Sequence, residues 1–169
     1  MQITRASDYA VRVMIHLATV PAGAKAQRAE LSRAADVPGH FLSKVLQQLV
    51  RSHLIRSQRG SGGGFVLAVP PSDVSLLDVV EAIEGPVRLN LCIEEGPSCE
   101  RKTCCPAHEV WVDAQSAVVK VLAAASIASL AEKVRNCESS TYVGHDSSVR
   151  ISSVPNADQA KRVYARDGH

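Results

Sequence analysis

The stretch that decides the fold is residues 36–68, DVPGHFLSKVLQQLVRSHLIRSQRGSGGGFVLA. Its first half repeats apolar residues at steps of three and four, which predicts a helix that begins after Pro38 and ends near Ser52. Two short strand-like runs follow, Leu54–Gln58 and Phe65–Ala68, and the loop between them holds four glycines in five residues. Because glycine accepts positive φ angles at no steric cost, the second half predicts a tight β-hairpin.

The predicted helix has one apolar face and one polar face. The apolar face, which we expect to pack on the core, consists of Phe41, Leu42, Val45, Leu46 and Leu49. The polar face contains no acidic residue and consists of His40, Ser43, Lys44, Gln47 and Arg51. A solvated face on a bundle helix would explain this pattern, but a shorter predicted helix at residues 28–35 precedes it across a tight turn. That arrangement is typical of a helix-turn-helix, whose second helix enters the major groove of DNA.

The glycine-rich loop favours the same interpretation. A nucleotide-binding loop would also be glycine-rich, but a helix would follow it to bind the phosphate, and here a strand-like run follows. We therefore interpret the hairpin as the wing of a winged helix-turn-helix. Arg59 at its base would enter a minor groove, where a guanidinium meets concentrated negative potential. The charge distribution also favours DNA binding, because residues 1–70 hold nine Lys and Arg against three Asp and Glu.

A long helix is predicted at residues 107–125, with apolar residues on two faces. One face carries Trp111, Ala114, Val118, Val121 and Ala125, and the other carries Val112, Val119 and Leu122. Two apolar faces exceed what one small domain covers, so the pattern predicts a partner helix; the alternative is a central helix buried within a monomer. A last short helix is predicted from Ser126 to near Val134.

These elements predict a mostly α fold with a small β-hairpin wing, a winged helix-turn-helix followed by a long dimerisation helix. The expected parts are a DNA-binding domain at 1–84, a cysteine loop at 85–106, the dimerisation helix and a short terminal helix at 107–135, and a flexible tail at 136–169. The longest apolar-rich run, Ala114–Leu130, is too short and too polar for a membrane span. The beginning of the chain has no signal-peptide pattern, so we expect a cytoplasmic protein with no membrane partner.

Four of the five cysteines, Cys92, Cys99, Cys104 and Cys105, fall within fourteen residues. In a reducing compartment, this clustering indicates a metal or redox site instead of a disulfide framework. Structural zinc would favour a Cys-x2-Cys pair, which this segment lacks. A thiol switch could use the adjacent Cys104 and Cys105, and an iron–sulfur cluster needs several thiolates from a flexible loop. Spacing alone leaves the last two chemistries open, with Cys137 outside the site.

Over roughly residues 1 to 135, the chain resembles the Rrf2 superfamily of bacterial regulators. The resemblance is carried by the opening Ile3-Thr4…Asp8-Tyr9-Ala10-Val11, by the wing Arg59-Gly-Ser-Gly-Gly-Gly-Phe65, by the run Ser75–Ile83, and by three spaced cysteines before a long helix. It implies a homodimer that binds an inverted-repeat operator in double-stranded DNA. It also implies an iron–sulfur cluster whose state sets the affinity or the choice of site. We expect no enzymatic activity.

Within that resemblance, Cys92 and Cys99 match the first two cluster ligands. Cys105 matches the third, because Cys105-Pro-Ala-His108-Glu-Val-Trp mirrors the Cys-x-x-His-x-x-Trp stretch of IscR-like members. Cys104 is the alternative to Cys105 and would otherwise be a bystander.

Two residues are candidates for the fourth ligand, and the resemblance does not choose between them. His108 stands where IscR-like members place a histidine, which implies a 2Fe–2S cluster. Asp8 stands where NsrR-like members place a carboxylate that reaches the cluster of the other subunit, which implies a 4Fe–4S cluster. Without ligation, His108 would face solvent early in its helix, and Asp8 would complement the dipole of its own helix.

The predicted function is a transcriptional regulator, more specifically a repressor, whose cluster senses iron, redox state or nitric oxide. The residues expected at the DNA are His40, Ser43, Lys44 and Gln47 at base edges, and Arg51 and Arg59 at the backbone and minor groove. Ser43 stands where IscR-like members have an acid, so their operator sequence is not carried over. The alternatives are a cluster-free regulator that depends on thiols or zinc, and a small iron–sulfur redox protein, which would leave the wing unexplained.

Overall fold

The computed structural model describes residues 3–21, 23–60, 62–93, 99–100 and 103–140. This part of the chain is mostly helical and contains one two-stranded hairpin. The helices are α1 (Arg5–Thr19), α2 (Arg28–Ala34), α3 (Gly39–Arg51), α4 (Leu76–Glu84), α5 (Pro106–Ala124) and α6 (Ile127–Ser140). The strands are β1 (Ile55–Gln58) and β2 (Gly64–Leu67), and single turns of 3-10 helix lie at Pro71–Asp73 and Leu91–Ile93. The predicted fold class, mostly α with a β-hairpin wing, is confirmed.

The core lies where α1, α3 and α4 pack together. Its fully buried side chains from α1 and α3 are Ala10, Val13, Met14, Leu42, Val45 and Leu49. Leu31 of α2, Val79 of α4 and Ile127 of α6 complete this cluster. Each large aliphatic side chain removed from water stabilises the fold by about 1.5–3 kcal/mol. The helix-turn-helix and the start of α6 therefore share one continuous core.

The wing is an antiparallel hairpin in which Ile55 lies opposite Leu67 and Gln58 lies opposite Gly64. The chain before α2 adds a third, single-residue strand, because Ala26 exchanges two backbone hydrogen bonds of 2.9 and 3.0 Å with Phe65. A Cβ atom at Gly64 would lie 2.7 Å from the carbonyl oxygen of Ala26. Glycine is therefore required at position 64 by the close approach of another backbone.

The corner between α5 and α6 is attached to the chain just before α4. The backbone N–H of Leu76 donates to the carbonyl of Ala125, and that of Ile127 donates to the carbonyl of Val74, both at 2.8 Å. Ser75 also caps α4, because its hydroxyl accepts a hydrogen bond from the Asp78 N–H at 3.1 Å. The Asp78 carboxylate in turn accepts from the Ser75 N–H at 2.7 Å, which completes a capping box.

Phe41 differs from its prediction. We expected it on the apolar face of α3, but 47% of its surface is exposed, whereas Leu42, Val45, Leu46 and Leu49 are buried as predicted. At about 100° per residue, Phe41 is rotated roughly a quarter turn from the centre of the buried face. It lies at the edge of α3 instead of in the core.

The last helix is longer than predicted. The apolar periodicity fades after Val134, but α6 continues to Ser140. The first five residues of the expected tail at 136–169 are therefore helical, and residues 141–169 lie outside the described residues. None of the described helices combines the length and the apolar character needed to span a bilayer.

Helix α5 has no buried residue along its 19 positions. Val110 and Val121 are 65% and 70% exposed, and Trp111 is 41% exposed. An apolar helix left uncovered in this way is unusual for a protein that acts as a monomer. The alternative of a central helix buried within one chain is wrong.

Candidate nucleic-acid interface and cysteine segment

A tight turn joins α2 to α3 and sets the angle between them. Asp36 adopts a left-handed conformation with φ of 51°, which aspartate tolerates better than most residues. The Ser32 hydroxyl donates to the Val37 carbonyl at 2.7 Å, and the Arg28 guanidinium donates to the Gly39 carbonyl at 2.8 Å. The N-terminus of α3 is thus fixed by side chains of α2. Sequence reasoning missed the role of Arg28, because no local pattern marks it.

The predicted reading face of α3 is exposed along one stripe. His40, Lys44, Gln47 and Arg51 follow each other at steps of four, three and four, and all four are exposed. Ser43 is half-buried, and its hydroxyl donates to the carbonyl of Gly39 at 3.3 Å. Ser43 therefore offers its oxygen lone pairs to a ligand more readily than its proton.

The cations of this surface are not neutralised by any carboxylate in the described part of the chain. Within the described ranges, no carboxylate lies within ion-pair distance of Lys44, Arg51 or Arg59. Arg59 is exposed where β1 ends and the glycine turn begins. In that turn, Gly62 has a φ of 78°, and the Gly63 N–H donates to the Gly60 carbonyl at 2.9 Å. The three positive charges are available to a polyanion.

A groove of about 360 Å³ separates α3 from the wing. Its lining includes the apolar side chains of Leu46, Val50 and Phe65 and the cationic side chains of Arg28 and Arg51. The groove therefore combines apolar and cationic lining residues, on the side of α3 that carries the polar stripe.

The described part of the cysteine segment includes thiols at both ends and one between them. Cys92 lies in the 3-10 turn Leu91–Ile93, and Cys105 is the N-cap of α5. Cys92, Cys99 and Cys105 are half-buried, whereas Cys104 is exposed. Residues 94–98 and 101–102 lie outside the described residues. Among the residues that are described, no three His, Cys, Asp or Glu side chains are gathered as a metal-binding group.

His108 lies in the first turn of α5, one turn after Cys105. Its backbone N–H donates to the Cys105 carbonyl at 3.1 Å. Its side-chain Nδ1 is buried and has no hydrogen-bond partner in the described part of the chain. Leaving a buried polar atom unpaired costs about 1–3 kcal/mol, so this nitrogen is available to a ligand at little further cost.

Asp8, the other predicted fourth ligand, forms its contacts within α1. Its carboxylate pairs with the Arg12 guanidinium at 2.7 Å, and its side chain is 50% exposed. Its backbone N–H donates to the Thr4 carbonyl at 3.2 Å. A half-exposed ion pair of this kind contributes at most about 1 kcal/mol, so it holds Asp8 only weakly.

Glu84 joins α4 to α1 and was missed by sequence reasoning. Its carboxylate accepts hydrogen bonds from the hydroxyls of Thr4 and Ser7 and from the Thr4 backbone N–H. Burial alone would raise the pKa of Glu84, but the hydrogen bonds from Ser7 and Thr4 outweigh it and lower the pKa. The signal in the sequence is Ser7 itself, a polar residue three positions before Ala10 on the buried stripe of α1.

A helix-turn-helix followed by a two-stranded wing, with a polar and cationic face on its second helix, defines a winged-helix DNA-binding protein. A profile of the Rrf2 family, described as "Iron-dependent Transcriptional regulator", matches residues 3–133. The chain belongs to the Rrf2 family of transcriptional regulators, as its resemblance predicted.

Individual proteins agree with this assignment. A protein of Mycobacterium tuberculosis named as an HTH-type transcriptional regulator, Rv1287, is 38% identical over 87 residues, which cover 52% of this chain. The match spans only about half, 54%, of that relative's length.

Solved structures show the same fold. CymR, the global cysteine regulator of B. subtilis, superposes with a TM-score of 0.65 at 24% identity, covering 79% of this chain and 98% of CymR. IscR of T. potens superposes with a TM-score of 0.65 at 18% identity, covering 86% of this chain and 94% of IscR.

Proposed function

We propose that this regulator binds an inverted-repeat operator as a homodimer, acts there as a repressor, and responds to an iron–sulfur cluster held by its cysteine segment. The observation that carries the cluster is the buried Nδ1 of His108, one turn after Cys105, which has no hydrogen-bond partner among the described residues. The proposed setting is the cytoplasm, where thiols stay reduced.

At the DNA, the two recognition helices of a dimer enter successive major grooves, roughly 34 Å apart. The exposed stripe of His40, Lys44 and Gln47 contacts base edges, with Ser43 as an acceptor. Arg51 and Arg59 contact the backbone and the minor groove, because both are exposed and neither has an ion-pair partner in the described structure; Arg51 also lines the groove between α3 and the wing.

The dimer is supported by α5. A helix of 19 residues is about 28 Å long, and none of its residues is buried within one chain. Its exposed apolar side chains lie on more than one face, so a second copy of α5 is the occupant that fits.

The residues present fit a cluster by their chemistry, although the described part of the chain does not gather three of them. Cys92, Cys99 and Cys105 supply thiolates, and the unpaired nitrogen makes His108 a better fourth ligand than Asp8 of the partner subunit. A bound cluster supplies a group whose presence and charge change with iron supply, redox state or nitric oxide. Because Cys105 is the N-cap of α5, a ligand held there acts directly on the first turn of the dimer helix.

The test is purification of the full chain without oxygen, followed by visible absorption, iron and sulfide analysis, and DNA titration. We expect a coloured protein with iron and sulfide, and an operator affinity that changes when the cluster is removed. Cys92→Ser should lose the colour, whereas the matched control Cys137→Ser should keep it. A colourless, iron-free protein whose DNA affinity is unaffected by reconstitution would overturn the cluster.

The same preparation distinguishes the alternatives. A cluster-free regulator would contain zinc, or would change its DNA affinity on reversible oxidation of Cys104 and Cys105. An iron–sulfur protein that selects no DNA sequence would instead be a redox protein.

A further inference from the structure

An exposed aromatic ring lies at the start of the recognition helix, where the polar stripe does not account for it. Phe41 is the third residue of α3, and 47% of its surface is exposed. The first residues of a recognition helix are the ones that contact base edges. Removing an exposed aromatic ring from water is favourable, so a partner that covers this ring gains affinity.

The ring of Phe41 is held in place by two neighbours. Its centroid lies 5.9 Å from that of Tyr9 in α1, with the rings tilted by 51°. It lies 4.3 Å from the ring of His40, with a tilt of 44°. Tilted aromatic pairs at these separations are favourable, so the ring is positioned before DNA binds. Its contact with Tyr9 also ties this position to α1, which contributes Ala10, Val13 and Met14 to the core.

The chemistry of the ring restricts what it can contact. Phenylalanine has no hydrogen-bonding group, so it offers nothing to a phosphate or to the polar edges of guanine, cytosine or adenine. The apolar feature that the major groove presents is the C5-methyl group of thymine. His40, beside Phe41, is exposed and can hydrogen-bond to a neighbouring base.

We propose that Phe41 is a specificity-determining residue, whose ring contacts the C5-methyl group of one thymine in each half-site of the operator. The inference rests on the proposed binding of an operator by the dimer and adds a base preference to it. Burying one methyl group against the ring should be worth about four-fold in affinity per half-site.

The experiment removes the methyl group alone. The full-length protein first selects its binding sequence from a pool of randomised duplex DNA. Each thymine of that sequence is then replaced singly by deoxyuridine, which differs only in lacking the C5-methyl group, and affinity is measured by fluorescence anisotropy. We expect one thymine per half-site at which deoxyuridine weakens wild-type binding about four-fold.

Variants of Phe41 assign that effect to the ring. Phe41→Ala should bind the thymine and deoxyuridine duplexes equally, whereas Phe41→Leu, which keeps an apolar side chain, should retain part of the preference. Val69→Ala, an exposed apolar residue outside α3, is the matched control and should keep the full preference.

The outcomes are distinct. Selection of no sequence would contradict the proposed function itself. A selected sequence without a deoxyuridine-sensitive thymine, or one whose sensitivity survives in both Phe41 variants, would overturn the role of Phe41 and leave operator binding intact. If Phe41→Ala fails to fold, the thymine preference of Phe41→Leu is compared with that of wild type, and an undiminished preference overturns the role of Phe41.

Discussion

The carboxylate of Glu84 accepts a hydrogen bond from the fully buried hydroxyl of Ser7, which joins the last residue of α4 to the first turn of α1. Two further hydrogen bonds from Thr4 place the negative charge of Glu84 at the N-terminus of α1, where the helix dipole favours it. The residues concerned are 77 and 80 positions apart in sequence. This contact fixes the start of α1 against the helix that leads into the cysteine segment.

Removing the carboxylate should destabilise the domain more than removing the hydroxyl. Glu84→Ala leaves the buried hydroxyl of Ser7 unpaired, which costs about 1–3 kcal/mol in the free energy of unfolding. Ser7→Ala leaves Glu84, which water can reach, and should cost about 0.5–1.5 kcal/mol. Urea unfolding followed by circular dichroism measures both. Glu132→Ala, an exposed carboxylate of α6, is the control, and equal midpoints for Glu84→Ala and this control would contradict the assignment.

The same contact predicts a pH dependence of stability. The pKa of folded Glu84 lies below its ordinary value of 4.5, so its contribution is complete above about pH 4.5 and is lost as the pH falls through the lower folded pKa. Wild type should therefore lose more stability between pH 5 and pH 3 than Glu84→Gln, which keeps an acceptor but does not titrate. Urea midpoints across this range measure the difference. Parallel profiles for the two proteins would show that Glu84 does not titrate as described.

A charge on the exposed face of α5 should disrupt the proposed dimer without unfolding the chain. Val121 is 70% exposed, so Val121→Glu should leave the helical content unchanged. In a dimer interface, the unpaired carboxylate would be buried, which should raise the dissociation constant at least about tenfold. Sedimentation equilibrium measures the association. Val69→Glu is the control outside α5, and an equal effect of both substitutions would argue against α5 as the interface.

Loss of the wing arginine should weaken DNA binding. Arg59→Ala should reduce operator affinity by about 1–3 kcal/mol, because an exposed guanidinium with no ion-pair partner in the described structure is lost. Titration at several salt concentrations should also show a shallower salt dependence, since fewer counterions are released. Lys120→Ala, an exposed cation of α5, should change neither. An unchanged affinity for Arg59→Ala would mean that the wing does not contact the DNA.

The unpaired nitrogen of His108 predicts different outcomes for the two candidate fourth ligands. His108→Ala should alter or abolish the visible absorption of the anaerobic protein, whereas Asp8→Ala should keep it. The cluster-free His108→Ala protein should be no less stable than wild type, because the substitution removes an unsatisfied buried atom. Normal absorption of His108→Ala together with its loss in Asp8→Ala would reverse the assignment.

Local sequence patterns predicted the helix-turn-helix and the wing. They failed where the burial or the contacts of a residue depend on parts of the chain that are distant in sequence. The helical periodicity from Leu42 to Leu49 and the glycines after Arg59 are properties of short stretches of sequence. The recognition helix and the wing could therefore be predicted. Phe41 lies at the edge of that pattern, and its exposure depends on how closely α1 packs beside it. The residues around Glu84 in the sequence contain no pattern that predicts its contact with Ser7.

The cysteine segment shows a different limit. Its residue types predict a metal or redox site, and the structure places Cys105 at the N-cap of α5 and His108 in the first turn of that helix. The proposed site would be completed by a ligand and by a second subunit, and the order of residues along one chain specifies neither.

The corner between α5 and α6 is attached to the chain before α4 by main-chain hydrogen bonds at Val74–Leu76 and Ala125–Ile127, and the side chains of Val74 and Ile127 are buried in the core. Proline is the residue that these hydrogen bonds exclude at positions 76 and 127, since each must donate an N–H. Substitution of Ser75 or Ser126 would change the side-chain caps of α4 and α6, whereas the main-chain hydrogen bonds of this junction would remain. The attachment of α5 to the DNA-binding unit can therefore persist while the residues that cap these two helices vary.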